Sequence, residues 1–158
     1  MSLSQSALKV QKALNDIGLQ LEVVELPAST RTSQEAAQAI GCQVGQIAKS
    51  IIFKALTSHR PVMVIASGSN RVNEKVIEEL IGDAIGKADA DFVRQSTGYV
   101  IGGVPPVGHT EHIETFIDQD LLQYSEIWAA AGTPHAVFRL TPDDLQRITG
   151  GMIIKVIG

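Results

Sequence analysis

Lys49 has the clearest chemical potential in this chain. It stands at the head of an apolar run, Gly45-Gln46-Ile47-Ala48-Lys49-Ser50-Ile51-Ile52-Phe53-Lys54. Taking an ammonium group out of water is costly unless it finds a partner, so packing alone rarely puts one there. Directed from a strand into a pocket, it can meet a phosphate or an ester carbonyl and stabilise charge that develops on oxygen. The plainer alternative is a strand-end lysine that lays its alkyl stem on apolar surface and returns its charge to water. Strict alternation puts Lys54 on the opposite face and predicts that Lys54 is the solvated one of the two.

Two loops of small residues are the next candidates. Gly102-Gly103-Val104-Pro105-Pro106-Val107-Gly108-His109 combines three glycines and two prolines. Such a loop has special backbone geometry and lets a ligand approach closely. It lacks the Gly-Lys-Ser/Thr ending of a Walker loop and is no dinucleotide fingerprint. Its exposed N–H groups can hold an anionic oxygen, and a purely structural turn is the alternative. Ala129-Ala130-Ala131-Gly132-Thr133-Pro134-His135 precedes another apolar stretch. His135 there is either a pocket hydrogen-bonding group or a strand-start histidine satisfied by backbone.

Other chemistry is weaker. His109, Glu111, His112 and Glu114 suggest a metal site, but HExxH is absent and a strand would turn His109 and His112 to opposite faces. No metal or other cofactor is expected. Ser67-Gly68-Ser69-Asn70 reads as a turn and helix cap, not a nucleophile elbow. Cys42, the single cysteine, has no local catalytic partner and reads as a small buried residue. One cysteine excludes an internal disulfide or a cysteine-based zinc cluster.

These groups need a scaffold. At 158 residues the chain is expected to form one domain, 1–158, with a core of Ile, Val, Leu and Ala, because aromatics are only 4%. Charged residues at 19% against 44% hydrophobic ones argue against disorder. The net charge of −4 argues against a protein that coats nucleic acid non-specifically, yet permits a local patch for one RNA end. No signal-like start or membrane-length apolar window is visible, so a cytoplasmic protein with no membrane association is expected.

The periodicity predicts roughly seven strands and five helices in mixed order. Helices are expected over 4–17, from Thr32 or Ser33 to Gly41, over 70–82, over 89–95, and from a Thr141-Pro142 start. Strands include 21–26, 46–56, 61–67, 99–101, 113–117, 126–130, 136–140 and 152–156, with 57–60 as a hairpin turn. Strict βαβ alternation is absent. The fold class is therefore α+β, with a central mixed, largely antiparallel sheet flanked by helices.

Four blocks together resemble the YbaK/ProX family: Ala48-Lys49-Ser50-Ile51-Ile52-Phe53, the Gly102–His109 loop, Ala130-Ala131-Gly132, and Leu140-Thr141-Pro142-Asp143-Asp144-Leu145. Their order and spacing cover roughly Leu8 to Val156. These are free-standing aminoacyl-tRNA deacylases related to the editing domain inserted in bacterial prolyl-tRNA synthetases. The resemblance implies trans-editing hydrolysis of the ester between a small amino acid, such as Ala or Cys, and the 3′ end of tRNA, often tRNA-Pro. It implies that Lys49 is the essential lysine. It implies that Gly102, Gly103, Gly108, His109, Gly132 and His135 contribute to substrate binding, with prolyl-tRNA synthetase as a candidate partner. Thr133-Pro134-His135 departs from the arginine- or glycine-containing version of cysteine-specific members, which moves the expected amino acid toward alanine. A non-catalytic module binding an RNA end or a synthetase is the alternative.

Overall fold

The computed structural model describes residues 3–158. Five helices and eight strands follow in the order α1 (Gln5–Asp16), β1 (Val23–Glu25), α2 (Ser33–Ile40), β2 (Ile47–Ala55), β3 (Pro61–Ser67), α3 (Glu74–Ile81), β4 (Ile85–Lys87), α4 (Ala90–Thr97), β5 (Glu114–Asp118), β6 (Ile127–Ala130), β7 (Ala136–Leu140), α5 (Pro142–Thr149) and β8 (Met152–Ile154). All strands join one sheet, ordered β1-β7-β6-β2-β3-β5-β8, with β4 also on β2. The pairs β1/β7, β6/β7, β2/β3 and β2/β4 are antiparallel. The pairs β2/β6, β3/β5 and β5/β8 are parallel. The fold is α+β with a mixed sheet, as the sequence predicts.

Central β3 is buried along its whole length, Pro61 to Ser67, as a strand covered on both faces must be. One face holds the larger core, where Ala7, Val10 and Leu14 of α1 meet Met63, Ile65, Ile117 and Phe138. The other buries Ile77 of α3 against Phe53, Val62, Val64 and Phe116. Local signals fix the helix ends. Thr32 Oγ1 accepts from the Glu35 N–H at 3.1 Å, and α2 stops at Gly41 with φ 86°.

Three segments differ from the sequence expectation. Residues 99–101 form a turn between Gly98 (φ 85°) and Gly102 (φ 89°), because left-handed glycines on both sides leave no length for a strand. Helix α3 begins at Glu74, since Asn70 spends its side chain on Asp118 and Asp120 at 2.9 and 2.7 Å while Asn73 caps the helix. Strand β4 was not expected: Ile85-Gly86-Lys87 is too short to show alternation.

Asp118 locks the end of β3 in place. Its Oδ2 accepts from the Ser67 N–H and from Asn70 Nδ2, both at 2.9 Å, and its Oδ1 accepts from the Asp120 N–H at 2.9 Å. Ser67 Oγ in turn donates to the Gly45 carbonyl at 2.7 Å, just before β2 begins. This chain of bonds sets where β2 starts and hence where Lys49 stands. Asp118 is 1% exposed, so removing its carboxylate strands buried donors. Asp118→Ala is expected to cost about 3 kcal/mol in urea unfolding, and Asp120→Ala, at a half-buried position, clearly less. Equal costs for the two would contradict this role.

Candidate functional site

The sheet is interrupted beside β2. Strand β6 pairs with Ile47 and Ala48, and β4 pairs with Phe53 to Ala55. Between them residues 49–52 have no strand on that edge. A cavity of about 370 Å³ opens at this gap. Its floor is β2 from Ile47 to Ile52. Thr30 to Ser33 and Ala36 form one wall, and Trp128 to Ala130 another. Lys87, Ala88, Val93, Ile101, Gly102 and Val104 close the remaining side.

The interior is largely apolar and the mouth is charged. The charged side chains lining it are Arg31, Lys49 and Lys87, all basic and all exposed, although the chain as a whole carries −4. Two hydroxyls in the lining, Ser33 Oγ and Ser50 Oγ, are buried without a hydrogen-bond partner among the described residues. Buried hydroxyls are normally paired, so these two give the lining hydrogen-bonding capacity that the surrounding side chains and backbone do not use.

Alternation along β2 puts Lys49 on the face of Ile47 and Ile51, and Ser50 with Ala48 and Ile52. The expectation for Lys54 is corrected. It is half-buried, with Nζ 5.2 Å from the centre of the Phe92 ring, whereas Lys49 is exposed. The reason is that α4 brings Phe92 over the far end of β2, while the sheet is open at Lys49.

The two glycine loops meet behind the cavity. The Gly132 N–H donates to the Gly103 carbonyl at 2.8 Å. A Cβ at Gly103 would stand 2.8 Å from the Thr133 backbone, and one at Gly132 would stand 2.8 Å from the Ser6 carbonyl of α1. Of this pair of loops, Gly102 reaches the lining, where a Cβ would press on the Arg31 stem at 2.7 Å. Gly103 and Gly132 pack behind the wall. His135 lies outside the cavity. Its ring is exposed, with Nδ1 3.0 Å from the Ala28 carbonyl, and the Pro134 carbonyl accepts from the Thr30 N–H at 2.6 Å. The loop thereby straps the segment that carries Thr30 and Arg31.

Gly108 and His109 line a separate cavity of about 270 Å³ with Ile148 and Thr149. His109 Nε2 lies 2.6 Å from the Pro105 carbonyl. Burial pushes its pKa below the ordinary value, against the pull of that carbonyl, and Lys9 adds to the depression. Glu111 and His112 are exposed, and no group of three His, Cys, Asp or Glu side chains is gathered as metal ligands among the described residues. Cys42 is half-buried, and burial raises its thiol pKa, which disfavours a reactive thiolate. Sequence reasoning did not single out Arg31, Ser33, Ser50 and Lys87. They are common residue types without local pattern, and only the gap in the sheet brings them together.

The neutral state of His109 has a consequence for acid stability. A histidine whose folded pKa lies below its unfolded value of about 6.5 takes up its proton in the unfolded chain first. Its contribution to stability is therefore complete above that value and is lost as pH falls toward the lower folded pKa. Urea midpoints of the native protein are expected to decline on acidification through this window, and His109→Gln is expected to flatten the decline. An identical slope in the variant would place the acid sensitivity elsewhere.

Comparison with known proteins identifies the family. Residues 27–148 fit the aminoacyl-tRNA editing domain. A crystal structure assigned as a candidate trans-editing enzyme for prolyl tRNA synthetase superimposes with a TM-score of 0.94 at 47% identity, covering 99% of each chain. The candidate Cys-tRNA(Pro)/Cys-tRNA(Cys) deacylase EbsC of Enterococcus faecalis is 22% identical over 126 residues, 79% of this chain and 76% of that protein. The proline–tRNA ligase of Bacillus licheniformis is 34% identical over 108 residues, 65% of this chain and 18% of the ligase. With its cavity at the gap in a mixed sheet and most of its length matching that domain, the chain belongs to the aminoacyl-tRNA editing family, whose members are aminoacyl-tRNA deacylases.

Proposed function

We propose that this chain is a trans-editing deacylase that hydrolyses the ester between a small amino acid, alanine or cysteine, and the 3′-terminal ribose of mischarged tRNA-Pro. The observation that carries the reading is the make-up of the cavity. A small apolar interior lies under a mouth whose charged side chains are all basic, on a chain that is otherwise acidic. An RNA end has matching parts: phosphates for Arg31, Lys49 and Lys87, and an aminoacyl group for the interior. The resemblance to EbsC and to the candidate trans-editing structure supports tRNA-Pro as the RNA and prolyl-tRNA synthetase as the partner that produces the substrate. The cytoplasm, where tRNA is charged, is the proposed site of action. No described helix is long and apolar enough to cross a membrane.

The chemistry asks little of the protein. An aminoacyl ester is already activated: a positioned water attacks its carbonyl carbon, assisted by the neighbouring 2′-hydroxyl, and the 3′ oxygen leaves as the ribose hydroxyl. What remains is to hold the ester and to stabilise charge on its carbonyl oxygen. Lys49 is the proposed catalytic group: its ammonium serves the carbonyl oxygen or the terminal phosphate. Gly102 keeps the wall open to the substrate backbone. Gly103 and Gly132 hold the two loops against each other, and Gly108 and His109 brace the far end of the first loop. His135, through Ala28, sets the position of Thr30 and Arg31 and so tunes which side chain fits.

Lys49→Ala is expected to fold normally, because the side chain is exposed, and to lose about 10²–10³ in deacylation of alanyl- or cysteinyl-tRNA-Pro. A loss in kcat assigns the ammonium to the carbonyl oxygen, and a rise in KM alone assigns it to the phosphate. Near-native turnover by the folded variant would remove Lys49 from the chemistry. If wild-type protein binds the RNA and cleaves none of these esters, the chain is the non-catalytic module.

The basic mouth makes a separate prediction. Lys87→Ala is expected to weaken binding of uncharged tRNA and to reduce the slope of log affinity against log salt by about 1. An unchanged slope would mean that Lys87 meets no phosphate.

A further inference from the structure

An aminoacyl ester brings one group that the cavity's charged side chains do not answer. Its α-ammonium is positive, and the charged side chains lining the cavity are Arg31, Lys49 and Lys87. Among the described residues no aspartate or glutamate lines it. The acceptors that remain are hydroxyls and backbone carbonyls. One position offers both.

That position is Ser50. The Gly68 N–H donates to the Ile47 carbonyl at 2.8 Å, and the Ala55 N–H donates to the Arg60 carbonyl at 2.9 Å. Both bonds belong to the β2/β3 register, in which Lys49 faces Ala66 and Ile51 faces Val64. In an antiparallel pair, alternate residues direct both backbone groups at the neighbour. The odd-numbered residues of β2 therefore bond to β3, and the N–H and C=O of Ser50 point to the other edge. There β6 has stopped at Ala48 and β4 has not yet begun. The same residue carries an orphaned, buried hydroxyl. Backbone and side chain of Ser50 are thus both unpaired by protein strands at the floor of one cavity.

Resting on the deacylase reading, we propose that the aminoacyl group docks on this open edge as a one-residue strand. Its ammonium donates to the Ser50 carbonyl and hydroxyl, and its ester carbonyl accepts from the Ser50 N–H. An aminoacyl ester has the donor and acceptor of a peptide residue in the same order, so the gap between β6 and β4 is filled as added strands fill exposed sheet edges. The contact reads the α-amino group and is indifferent to the side chain, which is left to the apolar walls. A hydrolase built this way recognises any aminoacyl ester by its common part and sorts by size alone.

The test uses two short RNA ends carrying amide-linked, non-hydrolysable analogues: alanyl, and lactyl, in which a hydroxyl replaces the ammonium. Binding is read by calorimetry, independently of turnover. Wild-type protein is expected to bind the alanyl form about tenfold or more tighter, since hydrogen bonds to a charged group exceed neutral ones. Ser50→Ala is expected to shrink that ratio several-fold while leaving the carbonyl contact and some preference in place. Equal binding of the two analogues by the wild type would overturn the proposal, and a ratio unchanged in Ser50→Ala would overturn the part given to the hydroxyl. Alanyl and lactyl esters of the same RNA are assayed in parallel. Cleavage of neither ester, with the binding preference intact, would refute the deacylase reading and uphold the docking edge.

Discussion

The whole arrangement depends on one strand having two unlike edges. Strand β3 occupies one edge of β2 from Ala48 to Lys54. The other edge is shared by β6, which runs parallel to it, and β4, which runs antiparallel. The two enter from opposite ends and leave β2 before they meet. Backbone groups left without a strand must find another partner or pay a desolvation cost. In this protein they form the floor of a cavity, and the proposed aminoacyl group is the partner that would satisfy them.

The elements around the gap follow from that break. The carboxyl ends of β6 and β4 both point into it, and the chain leaves each through a turn. After β6 the turn passes through Gly132, with φ 97°, and after β4 it passes through Ala88 into α4. Breaks of this kind are where mixed sheets hold ligands, because loops converge there and no strand competes for space. The bonds through Asp118, Ser67 and Gly45 fix the start of β2, and the Gly103–Gly132 contact fixes the opposite wall. The cavity is thus held by hydrogen bonds at its ends and by apolar packing at its sides.

Much of this was legible in the sequence. The apolar run after Lys49, the caps at Thr32 and Thr141, and the two glycine loops each carry their own local chemistry, and the fold class follows from their order. The misread parts share a physical cause. The position of Lys54 relative to water depends on Phe92, which comes from α4, nearly forty residues downstream, and that of Lys49 on the gap in the sheet beside it. Ser33, Ser50, Arg31 and Lys87 mean nothing locally, and their grouping is a product of strand register. His135, sequence-adjacent to the loop glycines, turns its ring to Ala28 because the Pro134 carbonyl is already tied to Thr30. Local pattern reports what a residue can do, and the sheet decides what it meets.

The central claim is that the gap beside β2 holds the aminoacyl end of an RNA. A crystal structure of the protein with a short RNA end carrying an amide-linked alanyl group tests it most directly. The account predicts density for the alanyl group between β6 and β4, against Ser50, with the terminal phosphates beside Arg31, Lys49 or Lys87. An alanyl group seated in the second cavity beside His109, or held away from the edge of β2, would contradict it.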